Sequence, residues 1–342
     1  MRQRQRMARW WRHNKKLIVF CLVLCVVVTA GLGIGIHTGL KRQNSRHVTA
    51  SNSVNMGSGY RNLTYQKKKY QYNELVTTVL YAGIDSEGIV KQTAFTDAPR
   101  ADSIHLAVLD KKNKRMSVIA ISRDTMTEIR RYTMTGKDRG TYVSHLGLAY
   151  SYGDGGSISC ENLREAVSRL LGGIPIDEYV ITNRSSLPYI NRLVGGVTVT
   201  VPNADLEEKN PVFQEGSQVL LDDSNVELFL RWRDTTKVFS NEGRMERQRA
   251  YIDSYVGQFQ KILKKDLNGV WKKIQSMDQY LQTSITKNKY LELANLMNLT
   301  SFESDDYHLL EGTDDQGELH DEFYVDEAAL QELVLELFYE EV

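Results

Sequence analysis

Apolar and polar positions along the chain fall into a few recurring patterns. Leu17–Ile36 is a run of twenty residues without a charge, the length a helix needs to cross a hydrocarbon core of about 30 Å. Residues 37–71 are polar and short of large aliphatic side chains, a composition that predicts a flexible stalk. From Tyr72 the texture changes. Thr77–Gly83 (TTVLYAG), Ser103–Leu109 and Met116–Ser122 (MSVIAIS) are short apolar runs of the kind that form buried strands. The polar stretch from Asp110 to Lys114 predicts that the last two form a hairpin. Glu161–Leu171 has apolar residues at helical spacing and is closed by Gly172-Gly173. Tyr179–Thr182 reads as a short strand, Ser185–Leu193 as a short helix, and Val197–Val201 as a period-two strand ended by Pro202.

Asn225–Trp232 predicts a helix capped by Asp223-Ser224. A longer helix runs from Arg244 to Leu263, with a core-facing stripe of Met245, Ile252, Val256, Phe259 and Leu263. Tyr290–Met297 and Glu327–Phe338 are two more amphipathic helices. Strands and helices interleave without a repeat. This predicts one α/β domain over residues 72–342, with a central sheet covered by helices on both faces.

Charge changes the picture at the N-terminus. Arg2, Arg4, Arg6, Arg9, Arg12, Lys15 and Lys16 precede the apolar run, and no acidic residue does. Basic flanks stay on the cytoplasmic side, so residues 1–16 are expected to be a cytoplasmic tail and the body to lie outside the membrane. The run is longer than the ~7–15 apolar residues of a secretory signal and lacks a clear cleavage site, which favours an uncleaved anchor. The remainder holds 36 basic against 43 acidic side chains, a net of −7. That balance argues against a nucleic-acid partner. Cys21 and Cys25 lie in the apolar run, so Cys160 alone belongs to the body, which must be stable without an intrachain disulfide.

Candidate chemistry gathers where the predicted strands end, the usual place for ligands in open α/β sheets. Asp85 follows the first strand, Arg100 and Asp102 precede the second, and Arg123-Asp124 follow the third. Asp85 and Asp102 offer carboxylate oxygens to a hard cation, and magnesium on a phosphate substrate commonly takes one or two such ligands. A second group is Arg231-Trp232-Arg233-Asp234 with Arg244, Arg247 and Gln248. The guanidinium fork suits phosphate oxygens, and a helix N-terminus near Arg244 adds its dipole. An ordinary solvated ion-pair network has the same spacing, so spacing alone leaves both readings open.

Six blocks resemble the LytR–CpsA–Psr family. They are AGID ending at Asp85, RADS with Arg100 and Asp102, SVIAISRDT with Arg123 and Asp124, HLGLAYSYG from His145, LVGGVTVTVP from Leu193, and RWRD…GRMERQ from Arg231 to Gln248. The resemblance implies a three-layer α/β/α sandwich with a central mixed sheet, here preceded by a single N-terminal transmembrane helix, with an apolar pocket for a polyprenyl tail. It implies an extracytoplasmic phosphotransferase of Gram-positive bacteria. Such an enzyme moves a glycopolymer, such as wall teichoic acid or capsule, from an undecaprenyl pyrophosphate carrier to peptidoglycan and leaves a phosphodiester.

By motif match, Asp85 and Asp102 hold Mg²⁺, with Mn²⁺ as the substitute. Arg100, Arg123, Arg231, Arg233 and Arg247 grip the pyrophosphate with Gln248 nearby, and Arg244 is placed with them. Asp124 and Asp234 are the candidates for a general base. Two departures stand out: Ser122 replaces the usual Pro before Arg123, which loosens that turn, and Trp232 stands where a small or polar residue is common and is expected to shape the pocket mouth. Two rival readings use the same residues, a metal-dependent pyrophosphatase acting on the lipid-linked donor and a non-catalytic surface protein that binds or regulates it.

Overall fold

The hairpin expected from the DKKNK turn forms: β4 (Ala101–Asp110) and β5 (Arg115–Ile121) pair antiparallel from Ile104 opposite Ile121 to Asp110 opposite Arg115. The structure is a computed structural model that describes residues 60–318 and 320–342. The expected cytoplasmic tail, the anchor at Leu17–Ile36 and the first part of the stalk lie outside the described residues. Among the described residues no helix is long and apolar enough to cross a membrane.

The chain opens with β1 (Asn62–Tyr65), β2 (Lys68–Tyr72) and β3 (Val76–Ile84). After β4 and β5 come β6 (Met126–Tyr132), β7 (Asp138–His145), α1 (Leu148–Ser151) and α2 (Ser157–Leu170). Next are β8 (Glu178–Asn183), α3 (Leu187–Leu193), β9 (Val197–Thr200), β10 (Gln218–Leu221) and α4 (Val226–Arg231). The last part holds α5 (Asn241–Lys265), α6 (Leu267–Gln275), β11 (Leu281–Thr283), α7 (Lys287–Leu299), β12 (Tyr307–Leu309), β13 (Gly312–Gln316), β14 (Asp321–Val325), α8 (Glu327–Phe338) and β15 (Tyr339–Glu341).

The fold is mixed α/β around a six-stranded mixed sheet in the order β11-β8-β3-β4-β5-β12. β3 and β8 run parallel, as do β5 and β12, while β3, β4 and β5 alternate in direction. Alternation along the strands sorts side chains to two cores. Leu80, Ala82, Ile104, Leu106, Ile119 and Ile121 pack on one face with Leu163, Val167 and Leu170 of α2 and Val334 and Phe338 of α8. Met116, Val118 and Ala120 pack on the other with Val256 of α5 and Leu293 of α7. Within the expected Val197–Val201 strand, β9 forms over Val197–Thr200, but it pairs only with β10 in a separate two-stranded sheet.

Two expectations are corrected, the first by long-range pairing. Residues 62–71, read as the end of the stalk, form with Tyr72 the β1–β2 hairpin, and β2 pairs antiparallel with β15, Tyr72 opposite Tyr339. The ring of Tyr72 packs edge-on against Tyr60 and Tyr339. A polar hairpin whose apolar partners sit at the far end of the chain leaves no local apolar run to detect. The expected Asp223-Ser224 cap is also absent: Ser224 bonds back to Asp222, and Asn225 takes the cap position of α4.

Candidate functional site

Asp102 owes its position to a bulge. Gly83 pairs with Ser103 and Ile84 with Ala101, so Asp102 is the extra residue of β4 at the point where β3 ends. Bulges re-aim side chains beside active sites, and here Asp102 meets Arg123 at the end of β5 in a direct ion pair. Its carboxylate also lies 3.8 Å from Arg244 Nη1. Burial pushes the Asp102 pKa up, but Arg123 and Arg244 together outweigh it and hold the carboxyl below its ordinary value. Arg123 is joined on its other side by Asp124, at 3.4 Å.

Gly147 stitches these strand ends together. Its N–H donates to Arg123 O at 2.8 Å and its carbonyl accepts from Ala101 N at 3.0 Å. A Cβ at this position would stand 2.7 Å from Ala101 O, so only glycine lets the backbones approach this closely. The turn at Ser122, expected to be loose without proline, is tied instead: the Ser122 hydroxyl accepts from Asp124 N at 3.2 Å and from Asn241 Nδ2 at 3.0 Å. Asn241 Oδ1 in turn accepts from Arg244 Nη2 at 2.6 Å. Arg244 is 4 % exposed, and burial followed by the charge of Arg123 lowers its pKa to about 10.

Two cavities open on either side of the Asp102–Arg123 pair. One is polar, about 350 Å³, and includes Arg100, Arg123, Asp124, His145, Arg233, Lys237, His320 and Asp321 in its lining. Its far wall is the tip of the β13–β14 hairpin, anchored where Phe323 N donates to Asp124 O at 2.9 Å. The other is apolar, about 240 Å³, between the sheet and α5, lined by Tyr81, Ala107, Val118, Ile190, Ile252 and Val256 among others. Asp102, Arg184, Arg231, Arg244 and Gln248 are among the charged and polar residues of that lining. Gln248 is fixed there, accepting from Ser103 Oγ at 3.2 Å and donating to Leu230 O at 3.2 Å.

Most residues singled out from sequence therefore converge, with three set apart. Asp85 lies at the end of β3, paired with Arg231 at 2.5 Å. Arg100 and Arg233 face the polar cleft without a carboxylate partner among the described residues, and Arg233 Nη1 donates to Ser240 Oγ at 3.2 Å. Arg247 lines neither cavity. It is fully buried, with Nε donating to Phe229 O at 2.9 Å, Nη1 paired with Asp205 at 2.7 Å and Nη2 donating to Trp232 O. Arg244 and Arg247, expected on one face of the long helix, diverge to opposite neighbours. Asp234 closes its own turn, accepting from Thr236 N and Oγ1 at 3.0 and 2.6 Å. Trp232 is not at a pocket mouth; its ring packs against the core of β9, β10 and α4, with Lys209 Nζ 5.4 Å above it.

Sequence reading missed Arg184, the β13–β14 wall, Gly147 and the link through Asn241. Gly147 had a signal in the HLGLAYSYG block, whereas the others depend on contacts between distant segments.

Comparison with known proteins fits this arrangement. The chain is 25 % identical over 245 residues to the polyisoprenyl-teichoic acid–peptidoglycan teichoic acid transferase TagV of Bacillus subtilis, covering 70 % of this chain and 56 % of that one. It is 30 % identical over 182 residues to a TagU transferase of Bacillus cereus, covering 52 % of this chain and 51 % of that one. The chain thus spans about half the length of these two curated relatives. Among solved structures, Bacillus subtilis TagV superposes with a TM-score of 0.58 at 22 % identity, over 78 % of this chain and 96 % of that one. TagT bound to LI-WTA superposes with a TM-score of 0.58 at 21 % identity, over 83 % and 97 %; at such identities the likeness is one of fold. Residues 40–337 match the LytR_cpsA_psr family along nearly the whole described chain, and the protein belongs to that family.

Proposed function

We propose that the protein transfers a glycopolymer from a polyprenyl pyrophosphate carrier to peptidoglycan, leaving a phosphodiester. The observation that carries this reading is the meeting of an arginine-lined polar cleft and an apolar cavity at the Asp102–Arg123 pair. A pyrophosphate with an isoprenoid on one end and a sugar on the other is a molecule of that shape and polarity. The relatives' names supply teichoic acid as the polymer in those proteins, and we take the same class here, with capsule-type polymers as its nearest equivalents.

In this reading Arg100, Arg123 and Arg233 hold the polymer-linked phosphate from the polar cleft, while Arg231, Arg244 and Gln248 face the apolar side. Arg247 acts indirectly, by fixing the backbone at Trp232 beside Arg231 and Arg233. A hydroxyl of peptidoglycan attacks the polymer-linked phosphorus, the bond to the bridging oxygen breaks, and polyprenyl monophosphate departs. Asp124 is one of the carboxylates that line the cleft, and in this reading it takes the hydroxyl's proton. Phosphoryl transfer asks mainly for positioning and for neutralisation of charge on the phosphate oxygens, and the arginines provide both.

Asp85 and Asp102, at neighbouring strand ends, fit a Mg²⁺ or Mn²⁺ that draws its other ligands from phosphate and water. A magnesium ion on a phosphate substrate commonly takes only one or two protein carboxylates. When bound, the cation would neutralise charge on the phosphate oxygens. The domain is read as a three-layer sandwich held outside the membrane by Leu17–Ile36, N-terminus in the cytoplasm. Incubating the full-length chain with a labelled lipid-linked glycopolymer and peptidoglycan tests the reading. Label joined covalently to peptidoglycan is expected, with loss in Arg123→Ala; label released only into solution would make the protein a hydrolase.

A further inference from the structure

Arg184 belongs to none of the sequence motifs, yet it lines the apolar cavity. It follows Asn183, the last residue of β8, whose parallel partner is Ile84 at the end of β3. Asp85 follows Ile84, so register makes Arg184 and Asp85 neighbours, and Arg184 Nη1 lies 3.8 Å from Asp85 Oδ1. The same Asp85 oxygen is 2.5 Å from Arg231 Nη2. Glu227 Oε1 likewise accepts from both, at 3.0 Å from Arg184 Nε and 3.1 Å from Arg231 Nη1. Arg184 is the geometric twin of Arg231.

With Arg184 included, the arginines of the two linings fall into two sets around the Asp102–Arg123 pair. Arg184, Arg231 and Arg244 line the apolar cavity, and Arg100, Arg123 and Arg233 line the polar cleft. An isoprenoid is esterified directly to one phosphate of its carrier, so that phosphate stays within one ester bond of the apolar cavity. Resting on the transferase reading above, we propose that Arg184 is a further anion-binding residue that holds the isoprenoid-linked phosphate with Arg231 and Arg244.

In the reaction the acceptor oxygen bonds to the polymer-linked phosphorus, and the electron pair of the broken bond passes to the bridging oxygen. That oxygen ends on the isoprenoid monophosphate, so the charge that develops during transfer appears at the Arg184 set. Three carboxylates besides Asp102 surround Arg184 and Arg231: Asp85, Glu87 and Glu227. Glu87 is the most exposed of the three, at 65 %. An ion pair so exposed is screened and weak, so Arg184 exchanges it for a phosphate at little cost.

The experiment measures binding of geranyl monophosphate and of geraniol to the full-length chain in a non-ionic detergent at low salt. Wild type and Arg184→Gln are compared, with Arg184→Lys as the charge-keeping control. Loss of a charge-assisted contact predicts about tenfold weaker binding of the phosphate by Arg184→Gln, unchanged binding of the alcohol, and partial recovery in Arg184→Lys. A merely structural role would weaken both ligands together. Equal phosphate affinity in wild type and Arg184→Gln, or equal loss of phosphate and alcohol, overturns the proposal and leaves the transferase reading standing. Failure of the wild type to prefer the phosphate over the alcohol overturns both.

Discussion

Replacing Arg247 with Leu separates two roles for the arginines behind the cleft. The family motif places Arg247 among the groups that grip pyrophosphate, whereas its guanidinium is fully buried and occupied by the protein itself. Leucine would strand the carbonyl of Phe229, a buried acceptor costing about 1–3 kcal/mol, and the half-buried carbonyl of Trp232, which costs less. Removing one partner of a buried ion pair costs about 3–5 kcal/mol, but Asp205 is 39 % exposed and rehydrates, so its share is discounted. The expected loss is about 3–5 kcal/mol, which lowers Tm by about 10 °C in a domain of this size. Arg233→Leu loses one neutral acceptor, Ser240, at a half-buried position, and should leave Tm nearly unchanged while weakening phosphate binding. Thermal unfolding followed by circular dichroism, paired with binding of an isoprenyl pyrophosphate whose second phosphate reaches the polar cleft, reads both quantities. An Arg247→Leu protein that melts like the wild type yet no longer binds phosphate would refute the clasp and restore Arg247 as a ligand.

Other parts of the structure set three further outcomes. The Asp314 carboxyl is pushed up to about 6 by burial and by Glu242, Asp124 and Asp321, against roughly 3.9 when unfolded. The fold then holds the extra proton between those values, and stability falls as pH rises through that window. Asp314→Asn should therefore raise Tm at pH 7.5 and leave it unchanged at pH 3.5; an equal shift at both would dismiss the acidic repulsion. Gly147→Ala should cut glycopolymer transfer by an order of magnitude or more, since a 1 Å displacement of positioned groups costs about that much, and full activity would show that Ala101 and Arg123 tolerate the shift. Burial raises the Cys160 thiol to about 12, so in a Cys21→Ser/Cys25→Ser background a thiol reagent at pH 8 should label the protein only after denaturation.

What sequence reveals here is what depends on neighbours along the chain. The β4–β5 hairpin, α2 with its Gly172-Gly173 stop and the stripe of α5 are written in local periodicity, and each forms. Charged motifs at strand ends single out Asp85, Arg100, Asp102 and Arg123 because strand ends are where a sheet exposes its loops, whereas Arg233 follows the end of α4. Direction is harder. Arg244 and Arg247 differ by less than one helical turn, yet one reaches Asp102 and the other Phe229, and only packing against α4 decides which. Arg184 carries no local signal, since its meaning comes from the parallel register of β8 and β3.

The pairing of β2 with β15 also sets an order of events during synthesis. Lys68–Tyr72 leaves the ribosome early, but its partner Tyr339–Glu341 is made about 270 residues later. Closing so long a loop is slow relative to local hairpins and helices. The first strands of the domain therefore wait with one edge open, and α8, which leads directly into β15, completes the core on one face of the main sheet at the same late moment. A chain halted a few residues short would keep every arginine of the cleft and still lack the strand that pairs with β2.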